Sequence, residues 1–193
     1  MEKKDFLMEL SRKGIFVLDE TIDEKSVEFL RGLIFRFFFK NLKKEIFLII
    51  DSNGGQVIPA LTLYDFIKSL PISVTGIVNG KCHSAALLIL AACKKRLSLR
   101  HSQFFFHEIS YPCKVDDQID LEEFFKEQLK IQKNTFEYVY KIQQQEFGLS
   151  MQKIKELARN GKEYNIKLFA EEVLKYNVIH EIIEKIPFEL PNV

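Results

Sequence analysis

Ile46-Phe47-Leu48-Ile49-Ile50 is an apolar run with no alternation, and Asp51-Ser52-Asn53-Gly54-Gly55 follows it at once. Such a run suits a short strand covered on both faces. Paired glycines then let the backbone take positive φ and leave its N–H groups uncovered. Pro59 stands near the start of the next helix, where its missing N–H does no harm. Leu61, Tyr64 and Ile67/Lys68 carry that helix to about Ser69, and Pro71 stops it. Ile72 to Val78 reads as a second strand, Gly80 as a turn, and Ala85 to Ala92 as a buried helix opened by Ser84. A strand–helix–strand–helix order of this kind calls for a largely parallel sheet in an α/β domain.

The rest of the chain fits around that unit. Residues 1–13 are polar and short, and Gly14 to Leu18 reads as the first strand. Thr21 or Asp23 can cap a helix beginning near Glu24, whose apolar stripe is Val27, Leu30, Ile34 and Phe37/Phe38. Asn41 to Glu45 is a polar connection. Lys94-Lys95-Arg96 reads as a solvated basic turn, Leu97-Ser98-Leu99 as a strand, Arg100-His101-Ser102 as a turn, and Gln103 to Phe106 as a strand ending at His107. Lys114 to Gln118 is loop-like. From Asp120 to Phe147 there is neither glycine nor proline, and Leu121, Phe124, Phe125, Gln128, Gln132, Phe136, Val139 and Tyr140 keep the helical period. One helix ended by Gly148 is expected, about 40 Å long, more than one domain of this size needs to cover its sheet. Part of it should project and pack on another subunit. A short helix from Met151 to Asn160 broken by Gly161, a helix from Phe169 to Tyr176 and a closing strand from Val178 to Ile182 complete the chain.

Composition excludes more than it assigns. A length of 193 residues suits a single domain, and a net charge of +1 gives no pull toward nucleic acid or a membrane surface. Cys82, Cys93 and Cys113 are odd in number and form no C-x-x-C pattern, which argues against a disulfide framework or zinc site and fits a reducing cytoplasm. Met1 to Asp5 leads into no apolar segment of the kind a secretory leader needs, and no apolar run approaches the ~20 residues of a membrane span. No His/Asp/Glu cluster suggests a metal, and no G-x-x-x-x-G-K-[ST] occurs, so neither a metal nor another cofactor is expected.

Ser84 is the candidate with chemistry. A serine at a strand–helix junction presents its hydroxyl beside the first N–H groups of the helix, which point toward an incoming oxyanion. The same position is also an ordinary helix N-cap. Serine needs a base to take its proton. His107, at the end of an apolar strand, is the best placed one, although a strand-end histidine can equally be structural. His83 and Cys82 leave the turn in other directions and read as structural, and His101 and His180 read as turn and surface residues.

Asp51-Ser52-Asn53-Gly54-Gly55, Leu63-Tyr64-Asp65 and Gly80-x-x-x-Ser84-Ala85-Ala86 together resemble the proteolytic subunit of the Clp protease (ClpP), whose members carry N-S-P-G-G, I-Y-D and G-x-A-A-S-M-G/A at the same intervals. The likeness runs from about Ser11 to Ile186 and takes in His107 after its strand and Ala170-Glu171-Glu172-x-x-x-Tyr176-x-Val178-Ile179. It implies a crotonase-like α/β fold, a repeated β-β-α spiral core with the long helix, about 120–147, as a projecting handle. It also implies a serine endopeptidase that cuts polypeptides inside stacked heptameric rings, fed by an AAA+ unfoldase. Ser84 would be the nucleophile, His107 the general base and acid, and the Gly55 and Ala85 N–H groups the oxyanion hole. Lys81-Cys82-His83 departs from the family's small residues.

The family's third residue, an aspartate, falls on Asn165 when aligned from Ala170-Glu171-Glu172, with Glu163 as the alternative across the Asn160–Tyr164 loop. An asparagine can orient the histidine, as in Cys-His-Asn sites, but supplies no charge to the imidazolium. A second expectation is therefore a weakly active, structural or regulatory ring subunit paired with an active paralogue. A remoter one is a crotonase-type acyl-CoA hydratase or isomerase, which needs acids where this chain places Ser84.

Overall fold

The computed structural model describes residues 2–41, 45–107 and 121–188. The elements run α1 (Lys3–Arg12), β1 (Ile15–Leu18), α2 (Glu24–Lys40), β2 (Ile46–Ser52), α3 (Val57–Ser69), β3 (Val74–His83), α4 (Ala86–Ala92), β4 (Lys95–Leu99), β5 (Gln103–Phe105), α5 (Leu121–Phe147), α6 (Met151–Tyr164), β6 (Leu168–Phe169), α7 (Ala170–Lys175) and β7 (Glu181–Ile183). The loop expected at Lys114–Gln118, the start of the long helix at Asp120 and Cys113 lie outside the described residues. The segment before the first strand, read from sequence only as polar and short, forms α1. Among the described residues no helix is long and apolar enough to cross a membrane.

Asp23 accepts the Ser26 N–H, and the Ser26 hydroxyl side accepts the Asp23 N–H, so a reciprocal cap fixes the start of α2. Val27, Leu30, Ile34 and Phe37 are buried as the stripe requires, and Phe38 is half-buried. The sheet path is β1-β2-β3-β4-β7, parallel throughout. β2 departs from the expectation of two covered faces. Ile46, Leu48 and Ile50 are fully buried, whereas Phe47 and Ile49 on the opposite face are half-buried.

Gly80 is not a turn but a bend inside β3. Its φ is +124°, and an added Cβ would lie 2.6 Å from the Asp51 carboxylate. Across this bend the pairing with β2 jumps from Ile50↔Val78 to Ser52↔Cys82, so β3 carries extra length. The bend also divides β3's other edge: Thr75–Val78 pair with β4, and Lys81–His83 pair with β5. The consequence is that Ser84 leaves the sheet next to Phe105, two residues before His107.

Arg96, expected in a solvated loop, is 4% exposed inside β4. Its Nε donates to the Val178 carbonyl and its second guanidinium nitrogen to the Asn177 carbonyl, while the group lies over the Phe147 ring. A buried charge is tolerable when its donors are used in this way.

Helix α6 does not break at Gly161 but runs through it. A Cβ there would sit 1.7 Å from the Phe106 carbonyl oxygen, so the glycine lets α6 lie directly on the strand end that carries His107. Gly161→Ala is accordingly expected to lower stability by about 3 kcal/mol through overpacking against backbone, read as a lower urea midpoint. An unchanged midpoint would contradict this close approach.

Helix α5 is anchored at its C-terminal end. Val139, Tyr140, Gln143 and Phe147 are buried, and Glu146 accepts from the Tyr64 hydroxyl at 2.7 Å and pairs with Lys68 at 2.8 Å. Phe125, Leu129, Ile131 and Tyr138, farther out, are exposed.

Candidate active site

Two glycines bring two turns into backbone contact. Ser52, almost fully buried, donates its hydroxyl to the Glu20 carbonyl and accepts the Gly54 N–H, which sets the turn after β2. Gly54, at φ +88°, abuts the Ser84 turn: an added Cβ would meet the His83 oxygen at 2.5 Å and the Ala85 nitrogen at 2.9 Å. Gly55, at φ +156°, lies against the backbone of Ile22, where a Cβ would clash at 2.2 Å. Neither position tolerates a side chain without displacing the backbone it touches.

Ser84 has φ +55°, a conformation that non-glycine residues seldom adopt. Its N–H donates to the Phe105 carbonyl at 2.8 Å, which ties the turn to β5. Helix α4 starts with Ala85 at its cap position and no side-chain capping bond, so Ser84 is not serving as an N-cap. Strained backbone at a strand–helix junction, with the hydroxyl left over from capping, is the arrangement expected of an exposed nucleophile. Among the described residues the N–H groups of Gly55 and Ala85 donate to no backbone or side-chain acceptor.

Ser84 and His107 line one pocket, with Val57, Leu87, Phe106, Val139 and Ala158 among its apolar walls. The space is ≈ 20 Å³, room for about one water. A larger groove of ≈ 940 Å³ runs between α5 and α6, past Lys133, Glu137, Lys155 and Arg159, but it is open to solvent and reaches neither Ser84 nor His107.

Asn165 caps α6 in the left-handed conformation, φ +52°, and is exposed. The antiparallel pairing of β5 with β6 is Gln103↔Phe169 and Phe104↔Leu168. The paired strands end two residues short of His107 and three short of Asn165, which is held instead as the cap of α6. Glu163 is exposed in the last turn of α6, two residues farther from β6.

His83, expected to be structural, is 6% exposed, and its Nε2 has no hydrogen-bond partner. Its ring meets Phe105 edge-on at 5.7 Å, and Phe105 in turn meets His107 at 5.2 Å. Burial foremost, then the nearby Lys167 and Lys81, pushes the His83 pKa down to about 4, with Asp51 opposing and His107 adding to the fall. Burial likewise raises the Cys82 thiol well above its ordinary range, so Cys82 is no rival nucleophile. Among the described residues no group of three or more His, Cys, Asp or Glu side chains could hold a metal ion.

One site residue escaped the sequence reading. Gln143 lines the Ser84 pocket. Its spacing from Val139 and Tyr140 puts it on the apolar stripe of α5, which was the available signal.

The chain is similar to ATP-dependent Clp protease proteolytic subunits from Chloranthus spicatus (31% identity over 101 residues, 51% of this chain and 50% of that protein) and Acorus calamus (30% over 106 residues, 54% and 52%). The one from Lotus japonicus is 28% identical over 106 residues, 54% of each chain. The match thus spans about half the length of these curated relatives. The Clp protease family model matches much more, residues 1–186, and the chain belongs to the Clp protease family.

Proposed function

We propose that this chain is a serine endopeptidase subunit of the Clp type, hydrolysing peptide bonds of polypeptide substrates. The observation that carries the reading is Ser84, held at φ +55° between β3 and α4 and sharing its pocket with His107. In the proposed reaction the Ser84 Oγ attacks the scissile carbonyl carbon and its proton passes to His107. The carbonyl oxygen, now an anion, accepts from the Gly55 and Ala85 N–H groups, each such donor being typically worth about 3 kcal/mol. His107 then protonates the leaving amine. It next takes a proton from water, whose oxygen displaces Ser84 from the acyl carbon, and returns that proton to the serine. The Asn165 amide oxygen accepts from the imidazole Nδ1–H and orients the ring.

The wider reading is a cytoplasmic homo-oligomer of stacked heptameric rings, served by an AAA+ unfoldase or completed by a paralogous ring subunit. Exposed Phe125, Leu129 and Ile131 on α5 support association through that helix. A second reading, a weakly active structural or regulatory subunit, is favoured by the amide at Asn165 and by the small space at Ser84.

Fluorophosphonate labelling of Ser84 in the chain purified alone, together with hydrolysis of fluorogenic peptides, tests the first reading. Failure to label would leave the second. Asn165→Asp is expected to raise kcat by about tenfold or more, with KM little changed, because an added charge acts mainly in the transition state. Glu163→Gln should matter little. If Glu163→Gln instead silences the enzyme and Asn165→Asp does nothing, Glu163 holds His107.

A further inference from the structure

Arg96 takes a positive charge into the interior without a negative charge beside it. Among the described residues no carboxylate lies within ion-pair distance of it. The Val178 and Asn177 carbonyls satisfy two of its nitrogens but bring no counter-charge. Those two nitrogens, Nε and Nη2, form one edge of the planar guanidinium. Nη1 is therefore turned away from the carbonyls; it has no partner among the described residues and is not a fully enclosed atom. Arg96 lines a cavity of ≈ 350 Å³ together with Lys68, Lys94 and Glu146, so three cations face one carboxylate. Glu146 is already taken up by Tyr64 and Lys68. Burial foremost lowers the Arg96 pKa, with Cys93 and Glu146 opposing. The rest of the wall is apolar, with Leu70, Ile72 and Val74 in it. Buried charges are ordinarily paired, and this one lacks a pair.

We infer that this cavity binds a short aliphatic carboxylate. No residue lines both it and the Ser84 pocket, and the inference does not depend on the peptidase reading. The carboxylate accepts from Arg96 Nη1 and from the Lys94 ammonium, and so supplies the counter-charge that the carbonyls lack. Its alkyl chain lies along Leu70, Ile72 and Val74. Inorganic phosphate suits the site less well. It has no apolar body to cover that wall, and Glu146 at the rim repels a dianion more than a monoanion. An occupant bridges β4 and the end of α3 next to the anchored end of α5, since Arg96 lies over Phe147 and Lys68 holds Glu146. The occupied chain is accordingly harder to unfold.

Acetate, butanoate, hexanoate, inorganic phosphate and uncharged hexanol, each titrated into the full chain, separate charge from apolar body. Ionic strength is held constant with chloride, because screening alone shifts stability. The thermal midpoint and the heat of binding are followed. Saturable binding that raises the midpoint is expected for butanoate and hexanoate. Hexanoate should bind at least about tenfold more tightly than acetate, since its further methylenes leave water. Lys94 is exposed, so Lys94→Glu should keep the fold while weakening hexanoate by about tenfold or more, an attraction having become a repulsion. Arg96→Met should abolish binding, and Lys94→Glu keeps the test decisive should that variant fail to fold. Absence of saturable carboxylate binding overturns the inference, as does undiminished hexanoate binding by Lys94→Glu. Hexanol binding as tightly as hexanoate overturns the role of the cations. Phosphate binding more tightly than hexanoate overturns the aliphatic carboxylate in favour of a bare anion.

Discussion

Ser84→Ala should remove fluorophosphonate labelling and reduce peptide hydrolysis by at least about 10⁴-fold, since the other members of such a site contribute little once the nucleophile is gone. Stability should barely change, because the Ser84 hydroxyl caps no helix and alanine keeps the same backbone cost at φ +55°. Ser84→Gly separates the two properties further. Glycine adopts this conformation freely, whereas other L-residues are disfavoured there by about 1–2 kcal/mol. The glycine variant should therefore be equally inactive but more stable than either, by about 1 kcal/mol in urea unfolding. Undiminished cleavage by Ser84→Ala would sink the serine mechanism. A glycine variant less stable than the alanine one would show that the turn is not strained.

Acid should weaken the fold through His83. Its folded pKa of about 4 lies below the ordinary 6.5, so between these values the unfolded chain binds a proton that the folded one refuses. Stability then rises with pH across that window: it is fully present above about pH 6.5 and is lost as pH falls toward 4. Unscreened, a shift of this size would correspond to about 3 kcal/mol, and solvent screening reduces it below that. Burial explains most of the refusal, and Lys167, Lys81 and His107 add to it against the opposing Asp51. His83→Phe keeps the edge contact with Phe105 and gives up no hydrogen bond at Nε2. Urea midpoints from pH 7 to pH 4 should fall more steeply for the wild type than for His83→Phe. Parallel curves would rule His83 out as the group responsible.

The order of elements was legible because caps, breakers and periodicity agree locally: the Asp23 cap, the stripe of α2, the glycine after Phe147. The misreadings share a cause. Gly80 and Gly161 were taken as interruptions, yet each is a glycine because another element touches it, Asp51 in one case and the Phe106 carbonyl in the other. Close approach between segments far apart in sequence leaves no periodic trace. Arg96 was read as solvated for a similar reason, since its acceptors lie some eighty residues away. At the site, the resemblance to the Clp family was what paired the Gly54–Gly55 turn with Ser84, and the two turns do meet. The burial of Gln143 and the lone Nε2 of His83 depend on which faces α5 and β3 turn inward.

The clamp on Glu146 makes α5 a lever. Its fulcrum is the buried stretch from Val139 to Phe147, and the arm beyond it, residues 121–138, extends about 27 Å at the helical rise. Gln143 sits at the fulcrum, beside Ser84. A force that tilts the tip by a few ångströms is geared down to a fraction of an ångström at the pocket wall, and displacements approaching 1 Å are enough to change reaction rates about a hundredfold. On the serine-peptidase reading proposed above, a partner held at the outer end of α5 would act on the wall of the Ser84 pocket through this pivot.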